Sequence, residues 1–241
     1  MSVAILSDIH GNAEALAAVL AEIAPGDEVW CLGDIVGYGP NPNECVGAIA
    51  ARARLCILGN HEVAALDGVG LEYFNDFAAE AIEWTQGVLR AEHRAYLNGL
   101  GYEIRADDFL LVHGAPVTYF EYILGIDDAE HAFAATDARL IFVGHSHVAE
   151  AYVLERDGGI THRHYQHGGK LALEPGLRYV INVGSVGQPR DLNPEASFVT
   201  FDRTAGTLVW RRIPYDVAAV RAKIAAARLP DPLGSRLLSG R

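Results

Sequence analysis

From the N-terminus to about residue 145, short continuous apolar runs alternate with longer stretches of helical periodicity. VAIL (3–6) precedes NAEALAAVLAEI (12–23), EVWCL (28–32) precedes a helical stretch near 43–52, and LCIL (55–58) precedes a longer helical region over about 62–99. FLLV (109–112), DAEHAFAATD (128–137) and LIFV (140–143) continue the alternation. Strands without polar alternation need cover on both faces, so this part predicts an α/β fold with buried central strands. Beyond residue 150 the runs become β-like and are separated by Gly, Pro and Asp turns: AYVLERDGG, ITHRHYQ, RYVINV, ASFVTFD and TLVWRRI. They predict a second, mostly antiparallel sheet. PYDVAAVRAKIAAARL, with Pro214 just before its start, predicts a closing helix. Within 62–99, Phe77, Ala81, Trp84 and Val88 share one helical face and are expected to pack into the core. No stretch has linker composition and no repeat interrupts the pattern, so one domain over residues 1–241 is expected.

Polar chemistry gathers where the apolar runs stop. VAILS is followed by DIHGN (Asp8, His10), VWCL by GDIVGYG (Asp34), LCIL by GNHE (Asn60, His61), FLLV by HGAP (His113), and LIFV by GHSH (His145, His147). In α/β sheets ligands bind beyond the carboxyl ends of the strands, so such loops can build one site from residues distant in sequence. Gly33, Gly59 and Gly144 precede the donor in three of them, where a sharp turn and close backbone approach are needed. Carboxylate, imidazole and amide oxygen without thiolate suit Mn, Fe, Zn, Co or Ni rather than Ca or Mg. Asp8, His10, Asp34, Asn60, His113, His145 and His147 are too many donors for one ion with four to six positions, so two metals sharing a carboxylate are expected.

Composition narrows the setting. The 241 residues are 50% apolar with a net charge of −12, which excludes the basic surface that long nucleic acid requires. No apolar run approaches the ~18 residues of a membrane span. The start, MSVAILSDIHGN, has no basic segment and reads as a first core strand rather than a signal peptide, so a cytoplasmic location is expected. Cys31, Cys45 and Cys56 have neither paired nor CxxC spacing and are expected to be buried thiols.

In order and type, DIH, GDIV, GNHE, VHG and GHSH resemble the motifs of the calcineurin-like metallophosphoesterase superfamily. With NVGSVGQPRD (182–191) the resemblance covers nearly the whole chain, and it is nearest to the small bacterial phosphodiesterases of that superfamily. Val183 departs from the pattern, since relatives often carry proline there. The resemblance implies a four-layer α/β/β/α sandwich of two mixed β-sheets flanked by helices. It implies that Asp8, His10 and His147 hold a first divalent metal ion and Asn60, His113 and His145 a second, with Asp34 bridging and Mn the expected ion for activity. The implied activity is that of a phosphodiesterase acting on a small phosphate ester, such as a cyclic or dinucleotide compound, through a metal-bridging hydroxide. A phosphomonoesterase or nucleotidase, or the same fold kept as a protein-binding scaffold, are the alternatives. The full donor set and the histidine of GNH favour the enzyme. The oligomeric state stays open.

His61 follows Asn60 directly and is the expected catalytic histidine, protonating the leaving group or steadying the phosphoryl group as a histidine titrating near neutrality can. Glu62 either orients a metal-bound histidine or starts the following helix. Arg190 and backbone N–H groups of GSVGQPRD are candidate phosphate contacts, unless that segment is only a tight turn. In TYFEYI, Tyr119 is the main candidate substrate contact, with Phe120 and Tyr122 beside it. The segment 62–99 is placed to roof the cleft. His162, His164 and His167 read as alternation on an exposed strand rather than a metal tract.

Overall fold

The computed structural model describes residues 2–106 and 108–241. Its elements in chain order are β1 (Ser2–Leu6), α1 (Ala13–Ala21), β2 (Glu28–Cys31), α2 (Pro42–Arg52), β3 (Leu55–Cys56), α3 (Asn60–Asp67), a 3-10 turn (Leu71–Tyr73), α4 (Asp76–Val88) and α5 (Ala91–Asn98). There follow β4 (Glu103–Arg105), β5 (Phe109–Val112), α6 (Ile126–Ala135), β6 (Leu140–Val143), β7 (Ala149–Leu154), β8 (Ile160–His164) and β9 (Gly169–Ala172). The chain ends with β10 (Arg178–Val183), β11 (Ala196–Asp202), β12 (Thr207–Ile213), α7 (Val217–Ala226), α8 (Asp231–Ser235) and a last 3-10 turn (Arg236–Leu238).

Two six-stranded sheets stack on each other, with orders β3-β2-β1-β11-β12-β9 and β4-β5-β6-β10-β7-β8. The strands β1, β2, β5 and β6 are buried on both faces, and alternate side chains of each go to different cores. Val3 and Ile5 of β1 join Trp30, Leu111 and Phe142 between the sheets. Ala4 and Leu6 instead meet Leu16 and Val19 of α1 and Val46 and Ile49 of α2 on the outside of the first sheet. Leu110, Ile141 and Val180 face Ala129 and Phe133 of α6 outside the second sheet. Helix, sheet, sheet and helix make four layers, with ~1.5–3 kcal/mol of hydrophobic driving force for each large apolar side chain fully buried.

The expectation of an antiparallel second sheet made by the C-terminal strands is corrected. β7, β8 and β10 complete the sheet of β4–β6, while β9, β11 and β12 complete that of β1–β3. Both sheets are therefore mixed: β10 runs parallel to β6 and antiparallel to β7. Strand periodicity indicates which faces are buried but not which partner is chosen. In α4 the buried face is Ala78, Ala81, Ile82 and Thr85, whereas Phe77 and Val88 are exposed, so the face predicted for that helix is rotated. Cys31 and Cys45 are buried, Cys56 is half-buried, and all three are free thiols. No helix among the described residues is long and apolar enough to cross a membrane.

Candidate metal centre and cleft

The parallel strands β1 and β2 of one sheet and β5 and β6 of the other end at the same edge of the sandwich, and their following loops converge there with the start of α3. Each loop turns abruptly. Asp8, His10, Asp34, His145 and His147 all have left-handed backbone, with φ between 50° and 65°. A non-glycine residue there is strained by ~1–3 kcal/mol, and such residues persist only where the surroundings hold them. Here the holding is visible. His10 N–H donates to Asp34 O at 2.9 Å, and His145 N–H donates to Asp8 Oδ2 at 3.0 Å. His145 and His147 therefore do not share the strand-like geometry that their spacing suggests, since β6 has already stopped at Val143.

Asp8, His10, Asp34 and His147 bring donor atoms within 4.8 Å of one another, and so do Asp34, His113 and His145. Asp34 belongs to both groups. Its Oδ2 lies 3.2 Å from His113 Nε2 and 3.7 Å from His10 Nε2, and Asp8 Oδ1 lies 3.3 Å from His147 Nε2. The second-layer contacts select the tautomers. Nδ1 of His10, His113 and His147 lies against the carbonyl oxygens of Val36, Leu32 and Gln188, at 3.1, 2.7 and 2.5 Å. A carbonyl only accepts, so each Nδ1 carries a proton and each Nε2 faces the cluster, as a lone pair wherever the ring is neutral.

Two observations show that this set fits cations. Nε2 of His10 and Nε2 of His147 stand 3.1 Å apart with lone pairs facing, which is repulsive unless a positive charge lies between them. Among the described residues, the buried atoms Asp8 Oδ1, Asn60 Oδ1 and His113 Nε2 have no hydrogen-bond partner. Buried polar atoms are almost always satisfied, and these three point to ions as their partners. Without metal, burial would drive His113 down, but the Asp34 carboxylate outweighs it and pushes the imidazole up to about 10. Burial raises Asp34, yet His113 and His61 together hold it well below the ordinary carboxylate range. Burial lowers His10 and His147 well below the ordinary value and His145 to about 3, leaving neutral imidazoles ready to ligate.

Of the two jobs anticipated for Glu62, the structure shows the helix start and not the histidine contact, and it adds a third. Glu62 sits in the first turn of α3, and its carboxylate accepts from Gly59 N at 2.8 Å, Asp34 N at 2.7 Å and Val36 N at 3.0 Å. It thus starts the helix and holds the backbone of the Asp34 loop, without touching a histidine. The 182–191 segment is likewise a brace. Val186 N–H donates to Ser7 O, Gly187 N–H to Asp8 O, and Arg190 N–H to His147 O. Those three N–H groups are consumed within the protein and are not free for a phosphate.

Above the donors lies a cleft of about 560 Å³. Asp34, Asn60, His61, His145 and His147 form its floor, and Val63, Val69, Tyr73, Phe74 and Ala78, from the segment 62–99, form one wall. Opposite, Tyr122 stacks on His145 with ring centroids 3.9 Å apart and 12° between planes. Arg190 reaches the rim, where its Nη2 donates to Tyr38 OH at 3.2 Å. Tyr119 does not line the cleft; its ring stacks on Tyr102 at 5.3 Å, and the expectation for it is corrected in favour of Phe120 and Tyr122. Tyr38 escaped the sequence reading. Its ring packs 4.6 Å from His10 and 4.5 Å from His61, and its only signal was a tyrosine between the glycines of GDIVGYG. His61 is buried beside the floor, with Nε2 3.9 Å from Asp34 Oδ2. Burial lowers it to about 4, so it is not the near-neutral titrating group expected from sequence.

Comparison with known proteins agrees with this geometry. A family model described as the calcineurin-like phosphoesterase superfamily domain matches residues 1–206. An uncharacterized protein of Methanocaldococcus jannaschii is 40% identical over 247 residues, covering 99% of this chain and 98% of that one. The crystal structure of a metallophosphoesterase from Sphaerobacter thermophilus superposes with a TM-score of 0.89 at 37% identity, covering 100% of both chains. A hypothetical protein from Pyrococcus horikoshii shares the fold, with a TM-score of 0.77 at 22% identity over 100% of this chain and 98% of its own.

Proposed function

The chain belongs to the calcineurin-like phosphoesterase superfamily, and from that premise we propose that it is a two-metal phosphodiesterase acting on a small phosphate ester. The observation that carries this reading is the pair of donor groups sharing Asp34 on the floor of the cleft. Asp8, His10 and His147 would hold one divalent transition-metal ion, and Asn60, His113 and His145 the other, with Asp34 common to both. Bound there, the ions supply Lewis acidity, making water nucleophilic at neutral pH and offsetting charge on the phosphoryl oxygens.

The chain's own residues supply the rest. Neutral His61 donates a hydrogen bond to the phosphoryl group and so steadies it, a role that needs no near-neutral titration. Tyr38 buttresses His61 and holds the Arg190 guanidinium at the rim. Among the described residues, Arg190 is the only lysine or arginine lining the cleft, while the walls are largely aromatic and aliphatic. That balance suits a singly charged diester with two organic substituents better than a doubly charged monoester. A cyclic or dinucleotide compound meets this description, and the protein would act in the cytoplasm, probed first with a chromogenic diester. Bis-p-nitrophenyl phosphate is expected to be hydrolysed faster than p-nitrophenyl phosphate with Mn²⁺ or Ni²⁺, and neither with EDTA. Absence of hydrolysis of both under every metal would overturn the reading.

A further inference from the structure

On the outer face of the second sheet, β7 and its edge neighbour β8 bring together residues that take no part in the cleft. Glu150 lies opposite His164 and Tyr152 opposite His162 in their antiparallel register. Alternate residues of a strand share a face, so both imidazoles project to the side of Glu150. His162 Nε2 is 2.8 Å and His164 Nδ1 3.5 Å from the same carboxylate oxygen, Glu150 Oε2. One donor atom from each of the three lies within 4.8 Å of the others. The Tyr152 ring lies parallel to that of His162 at 4.2 Å and 9°, which fixes the plane of the imidazole.

The carboxylate is in an awkward place for an anion. Glu150 is 3% exposed, and among the described residues no lysine or arginine pairs with it. The other carboxylate nearby, Asp191, is taken up by Arg212. Neutral histidines can each donate one N–H to Glu150 but cannot balance its charge, and a buried, uncompensated carboxylate is unfavourable. Burial accordingly pushes Glu150 up to about 7.

We propose that Glu150, His162 and His164 form a separate binding site for a divalent transition-metal ion of the zinc class. Two imidazoles and one carboxylate are a borderline-soft donor set, and three protein ligands leave a fourth position for water. Bonds of ~2.0–2.1 Å in tetrahedral arrangement separate donor atoms by about 3.3 Å, within the spread seen here. The ion enters from solvent past His164, which is 63% exposed at its side chain. Because β8 is the edge of its sheet, the ion would tie that edge to β7.

The test is metal stoichiometry of the whole protein at equilibrium. Wild type and the His162→Ala/His164→Ala double variant are dialysed against the same buffered free Zn²⁺ and their bound metal is counted by mass spectrometry. The expected result is one equivalent fewer in the double variant, with diesterase turnover unchanged in Mn²⁺. Cobalt substitution should add a tetrahedral absorption band in wild type that the variant lacks. Equal zinc content and equal cobalt spectra would overturn the proposal, leaving the cluster a hydrogen-bonded one. Since the count is a difference between two proteins, it does not depend on how many ions the cleft holds. If the double variant fails to fold, His164→Ala alone, at an exposed side chain, must still lower the bound zinc, and an unchanged count there overturns the proposal too.

Discussion

At the scale of single residues, the cleft is built from strained backbone and from glycines that nothing else can replace. A Cβ on Gly144 would stand 2.0 Å from Ser7 Oγ and 2.5 Å from Asp8 Oδ2. Gly144→Ala must therefore displace Ser7 or the Asp8 carboxylate of the candidate metal centre, and a loss of ~1–3 kcal/mol in stability together with lower bound metal is expected. Thermal melting and metal analysis check both. His61 offers the opposite case, a side chain that packs beside the donors without belonging to either donor group. His61→Ala should keep the metal content of wild type while turnover falls ~10²-fold or more, as for loss of one hydrogen-bond donor to the reacting group. Metal loss with unchanged residual turnover would mean that the histidine is structural.

At the scale of elements, what matters is where strands stop and helices begin. β1, β2, β5 and β6 deliver side chains to one edge because β1 runs parallel to β2 and β5 to β6, and the four end together. The first turn of α3 then presents Asn60, and Glu62 secures that turn to the Asp34 loop. Removing a buried acceptor strands its donors, so Glu62→Ala leaves three backbone N–H groups unpaired and is expected to lower stability by ~3–5 kcal/mol. It should also weaken metal binding, through Asp34, as measured by competition with a chelator. Sequence alone could not distinguish this role, because capping a helix and fixing a distant loop call for the same acidic residue after GNH. The segment 62–99 shows a similar limit. Its helices were legible, but the exposed Phe77 and buried Ala78 were not, since the face used by α4 depends on α7 and α8 packing nearby.

At the scale of the whole molecule, the candidate centre joins the two sheets, and ions bound there would stabilise the fold by linkage. Each site bound at 100 times its dissociation constant adds ~2.7 kcal/mol. Stripping the protein with EDTA is therefore expected to lower its melting temperature, and Mn²⁺ to restore it. A melting temperature indifferent to metal would show that the donors close up without loss when empty, against the facing lone pairs of His10 and His147. By itself the sequence determined the alternation of buried strands and helices and the polar residues placed where the strands stop, because each is encoded within a few neighbouring residues. Tertiary structure alone decided which sheet each later strand joined, that Tyr122 rather than Tyr119 faces the cleft, and that Glu150 meets His162 and His164. The reason is distance along the chain. Asp8 grips the backbone of His145 from 137 residues away, and no local pattern records which distant partner the folded chain will bring.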